Sequence, residues 1–166
     1  VVIMFDHFLF VILCLPILAG LRVRASPASR MVARSTGLFI SLATLVLSLD
    51  LYFGFQSTGH LEFVEYVPWI KSLGISYHLG IDGISLFILM AGSVLLPMVY
   101  LVFGTREKGY YANLLIVQGA MAGAVCAADM VLFYVFWEIM LLPVFFMLGL
   151  YGGPRRLPAT LMISIF

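Results

Sequence analysis

Apolar residues in this chain fall into long runs separated by short polar stretches, at 1–21, 35–55, 82–103, 112–128 and 129–151, with a sixth run that starts at 157 and reaches 166. A helix needs about 20 mostly apolar residues to cross a hydrocarbon core of ~30 Å. Five runs approach that length and the sixth holds about half of it. The pattern predicts an all-α integral membrane protein: a polytopic helical bundle of five complete transmembrane helices plus the start of a sixth. No stretch is polar enough to fold as a separate soluble unit, so residues 1–166 read as a single transmembrane domain, the N-terminal part of a longer chain.

Local signals refine this layout. The clean part of the first run, residues 8–21, spans only ~21 Å as a helix, so residues 1–5 have to complete it, with Asp6 and His7 at the interface. It resembles a signal peptide only superficially, since Arg22 and Arg24 follow it and no basic residue precedes it. Asp50, near the end of the second run, is placed at the other interface. Between the second and third runs, Ile75, Tyr77, Leu79 and Ile81 alternate with Ser76, His78 and Gly80. That period of two predicts a small β element in an outer loop that also holds Glu62, Glu65 and the belt residue Trp69. Asp82 and Asp129 read as helix caps, and Pro97 is a kink position. Gln118 stands among Gly119, Ala120, Gly123 and Ala124, small residues that permit close helix contact.

Composition and charge exclude other classes. With 63% hydrophobic and 10% charged residues, the chain is far from the half-apolar, quarter-charged balance of soluble domains. Eight of its nine Lys and Arg residues lie in the loops after runs one, three and five, and only Lys71 lies between runs two and three. By the positive-inside rule those loops are cytoplasmic and the N-terminus is outside. Cys14 and Cys126 sit in separate apolar runs with no CxxC or His companion, so each reads as a core or lipid-facing residue. His7, His60 and His78 lack metal-ligand spacing, and no metal site is expected.

The fifth run, DMVLFYVFWEIMLLPVFFMLGLYGG, holds one ionisable side chain beyond its cap, Glu138. At ~1.5 Å per residue, Glu138 lies ~14 Å below Asp129, near the bilayer midplane. A charge there costs roughly 3 kcal/mol or more, and acids at that depth face a partner or internal water and mark ion or proton routes. Pro143 has no N–H to give, so the Ile139 carbonyl loses its helix partner one turn away. Tyr134, one turn earlier on the same face, is within reach of the acid. A purely structural reading, with Glu138 as a packing residue in a membrane scaffold, stands beside the transport one.

The segments FYVFWEIMLLPVFFMLGLYGG (133–153) and YHLGIDGISL (77–86) resemble the M subunit of bacterial NADH:quinone oxidoreductase, respiratory complex I, an antiporter-like, proton-translocating membrane subunit. Trp137 and Glu138, followed by Met140, Leu141 and Pro143, favour that subunit over its sister antiporter-like chains. The resemblance implies that Glu138 transfers protons in partnership with a lysine on a later helix, with Tyr134, Trp137 and Pro143 in support. No Lys or Arg of residues 1–166 lies at membrane depth, so the expected partner belongs to a missing C-terminal part. The resemblance further implies a multi-pass protein of the bacterial inner membrane, partnered by lipid and by the other membrane subunits of complex I, especially the sister chains. NAD, FMN, Fe–S clusters and quinone would belong to other subunits, leaving this chain without a cofactor. A multisubunit cation/proton antiporter, or a membrane-bound hydrogenase or formate-linked complex, is the alternative setting for the same module.

Overall fold

The computed structural model describes residues 7–56, 59–102 and 106–152. Their elements are helices α1 (Phe8–Ala25) and α2 (Arg30–Gly54), strands β1 (Glu62–Ile70) and β2 (Ile75–Ile81), then helices α3 (Gly83–Val102), α4 (Lys108–Cys126) and α5 (Met130–Tyr151). Among the described residues four helices, α1, α2, α3 and α5, are long and apolar enough to cross a membrane. The expectation of five complete crossings is therefore met by four on length and composition. The ten residues expected to start a sixth, 157–166, lie outside the described residues, as do residues 1–5 and Asp6.

α4 differs for a physical reason. It packs against all four other helices, and twelve of its nineteen residues are buried, including Asn113 and Gln118. A helix enclosed by protein gains little from large lipid-facing side chains and much from small ones that let backbones approach. The two buried clusters of the bundle both run through it: one joins Leu9, Ile12 and Leu13 to Ala122, Cys126 and Phe136, and the other joins Val23 and Ala33 to Tyr100, Tyr111 and Leu115. Cys126 is buried and Cys14 half-buried, both within the core as expected.

Helix ends move outward from the apolar limits. α1 continues through Arg22 and Arg24 to Ala25, because long stems lie along the helix while their guanidiniums find partners: Arg24 donates to the Asn113 side chain at 3.2 Å. The Arg-rich loop shrinks to four residues, 26–29, and α2 starts five residues earlier than expected, capped by the Ser29 hydroxyl accepting from the Val32 amide. Pro16, Pro97 and Pro143 are buried inside α1, α3 and α5, so each carbonyl lacking a helix partner sits within the bundle.

The strand expected at 75–81 is present as β2. It pairs antiparallel with β1 through a turn in which Gly74 takes the left-handed φ of +68°. The loop between α4 and α5 adds to this hairpin: the Ala128 amide donates to the His78 carbonyl at 2.8 Å. Asp129 fixes the joint. One carboxylate oxygen caps α5 by accepting from Val131 and Leu132 at 2.9 and 3.2 Å, and the other accepts from the Ser76 amide and hydroxyl at 2.9 and 3.1 Å. The Ser76 amide, then the α5 amides, hold the Asp129 carboxyl below the usual carboxylate range. A depressed acid contributes stability above its unfolded value that is lost as pH falls through the lower folded value. Protection of the Ser76, Val131 and Leu132 amides, measured relative to their intrinsic exchange rates, should therefore fall at acid pH, and Asp129→Ala should lower it at every pH.

Candidate functional site

Apart from Lys71 in the hairpin turn, the Lys and Arg residues of the described part gather at the bundle end opposite the hairpin. There Arg34 donates to the Tyr100 carbonyl at 2.9 Å, Lys108 to the Ser26 carbonyl at 2.7 Å, and Arg30 pairs with Glu107 at 3.1 Å. These contacts pin the α1–α2 turn to the ends of α3 and α4. The hairpin end carries the acids Asp82 and Asp129, both acting as helix caps. Between the two ends α5 carries Glu138.

α5 is the least covered of the four long apolar helices. Glu138 is exposed on it, and so are Tyr134 at 59% and Trp137 at 43%, whereas Pro143 faces the bundle. The structure brings Tyr134 and Glu138 to the same side of α5, the phenol one turn before the carboxylate and close enough to interact with it. Trp137 stacks on Phe133 with ring centroids 5.9 Å apart, which fixes the indole beside the acid. Acid, phenol and indole thus lie on the outward side of α5, and no described residue supplies a cation to Glu138. In a bilayer this face meets lipid or further protein, and a carboxylate against lipid alone is disfavoured.

A second acid, Glu65 of β1, was placed by the sequence only in a polar outer loop. It is 5% exposed. Its Oε1 accepts from the Leu9 amide at 2.8 Å and the Phe10 amide at 3.2 Å, so it caps the start of α1, where His7 makes no side-chain cap bond. Burial pushes its carboxyl above the usual carboxylate range, against the pull of those two amides and of His7. The available signal was an acid inside the otherwise apolar stretch 63–70.

The fold is shared with membrane chains of solved respiratory and Mrp complexes. The chain matches a subunit of respiratory complex I from Thermus thermophilus with a TM-score of 0.81 and 24% identity, over 95% of this chain and 32% of that one. It matches a chain of the Mrp complex from Dietzia with a TM-score of 0.72 and 24% identity, over 98% and 18%. Within that class the chain is a homologue, over most of its own length, of the M subunits and chains 4 of NADH–quinone oxidoreductases. Chain 4 of Arabidopsis thaliana NADH-ubiquinone oxidoreductase is 39% identical over 151 residues, 87% of this chain and 30% of that one. Subunit M of the Rhodobacter capsulatus enzyme is 33% identical over 154 residues, 90% and 30%. Subunit M of the F420H2 dehydrogenase of Methanosarcina mazei is 36% identical over 143 residues, 83% and 29%. No protein-family profile matches the chain. The chain spans about 30% of the length of these relatives.

Proposed function

We propose that the chain serves as a proton-translocating membrane subunit of an NADH:quinone oxidoreductase, in a subunit of the length its relatives have. Glu138 is its proton-transfer residue. The observation that carries this reading is one acid at mid-helix on α5, with Tyr134 beside it one turn earlier, on a face the described residues leave uncovered. In the full-length subunit that face receives later helices, one of which brings a lysine to Glu138. Near an ionised Glu138 the lysine stays protonated; when the pair opens, the buried ammonium loses its stabiliser and releases its proton. Moving a charge against the membrane potential takes about 2.3 kcal/mol per 100 mV, and electron transfer to quinone in other subunits supplies it. NAD, FMN, Fe–S clusters and quinone sit there, and this chain holds no cofactor.

In this reading α4 is an enclosed fourth crossing of five, and the positive-inside rule supports an Arg- and Lys-rich end in the cytoplasm with the hairpin and N-terminus outside the bacterial inner membrane. Sister antiporter-like subunits are the nearest partners. The second reading, a cation/proton antiporter subunit, is favoured by the fold likeness to the Mrp complex. The 33–39% identity to dehydrogenase subunits favours the first. The test is proton uptake by inverted vesicles carrying the intact assembly with Glu138→Gln. NADH-driven uptake should fall to a small fraction with normal assembly; unchanged uptake would discard the role.

A further inference from the structure

Glu65 lies at the hairpin end of a cavity of about 630 Å³ between β1, β2, the start of α1 and the start of α5, lined also by His7, Phe10, Trp69, Tyr77 and Val135. Two polar atoms in this otherwise apolar space have no hydrogen-bond partner among the described residues, Glu65 Oε2 and the Tyr77 hydroxyl. A buried oxygen and hydroxyl left unpaired are each costly, so such a pair calls for a proton, a water or both. The position is built by a break in the strand register. Between Glu62 and Glu65 the pairing shifts, and Phe63 takes a left-handed φ of +53°, a bulge of the kind that re-aims a side chain.

We propose that Glu65 is a second proton-binding carboxyl of the subunit, taking up and releasing a proton on Oε2 at the hairpin end of the route that Glu138 serves. This rests on the proton-transfer reading above. Oε1 is held by the Leu9 and Phe10 amides in either state. The proton therefore resides on Oε2, whose O–H donates to an enclosed water beside the Tyr77 hydroxyl. On release it passes to water at the open rim of the same cavity, leaving the carboxylate on the α1 amides. The groups facing Glu65 are His7 and Cys14 from α1, Tyr77 from β2 and Cys126 from α4. Of these only His7 attracts the anion, and burial of the acid outweighs it, so the neutral form persists above the ordinary carboxylate range. Val135, on the cavity wall, stands three residues before Glu138, which brings the cavity to within one turn of the midplane acid.

The plain alternative is a permanently ionised cap, and the Gln variant separates the two. In Glu65→Gln the amide oxygen can still accept from Leu9 and Phe10, so the cap survives and only the titrating proton is lost. In the intact enzyme, the infrared carbonyl band of a protonated carboxylic acid should be missing in Glu65→Gln and shifted in Tyr77→Phe, and proton uptake by inverted vesicles should fall severalfold in Glu65→Gln at normal assembly. Absence of any such band at every pH sinks the proposal, and so does a lost band with undiminished uptake. Should Glu138→Gln pump normally while the Glu65 band is present and Glu65→Gln uptake falls, the role of Glu138 fails and the Glu65 site stands.

Discussion

Removing the charge at position 138 is expected to leave an assembled enzyme that oxidises NADH with almost no proton uptake. Gln keeps the size of Glu beside Tyr134, so the packing of α5 is preserved. It cannot carry the charge that holds a facing ammonium protonated, and a one-unit change in that group's proton affinity is 1.36 kcal/mol. Pairs desolvated in a membrane interior lose several kcal/mol when one partner becomes neutral, enough to stop a cycle that depends on protonating the same group each turn. Glu138→Asp keeps the charge one methylene further back and should retain part of the uptake. Tyr134→Phe removes the donor but no charge, and a small loss is expected. The order Asp, then Gln, measured as uptake per NADH oxidised, distinguishes a titrating acid from a packing residue, for which Gln should be tolerated better than Asp.

How far the sequence foretold this arrangement depended on which force governed each element. Burial against lipid is written in composition, so α1, α2, α3 and α5 were legible as runs, and alternation made β2 legible. The small residues around Gln118 announced a helix that others approach closely, although its central place, touching every other helix, emerges only from packing. Helix ends were misjudged at Arg22, Arg24 and Arg30, because hydropathy counts the charge of an Arg and ignores the stem that lets it stay helical. Glu65 was missed because its burial depends on the register shift beside Phe63, which a strict period of two does not encode. Gln118, 2% exposed, with neither amide atom paired among the described residues, was noted only for its neighbours. For Glu138 the sequence gives type and depth, while the identity of its partner depends on what covers the outward face of α5.

Gly119→Ala is expected to remove most of the subunit from the membrane, whereas Gly83→Ala should be neutral or slightly stabilising. A Cβ at Gly83 would meet nothing within 4 Å, and at the first position of α3 replacing Gly by Ala gains less than the ~0.5–1 kcal/mol of a helix interior. At Gly119 the added carbon would run into the backbone carbonyl of Leu13 and come 3.0 Å from the Pro16 ring. Core overpacking usually costs about 1–3 kcal/mol because a side chain can shift; a carbonyl shifts only with its helix. α1 and α4 would have to part, and the same contact repeats at Gly20, whose Cβ would lie 2.8 Å from the Ala112 carbonyl. Gly123 supplies the comparison, since its Cβ would meet the Phe136 ring at 2.5–2.6 Å, a side chain. Steady-state levels in membranes should recover when Gly123→Ala is combined with Phe136→Ala and stay low when Gly119→Ala is combined with Ile17→Ala. Recovery in the second pair would mean that side chains, and not the meeting of two backbones, set the distance between α1 and α4.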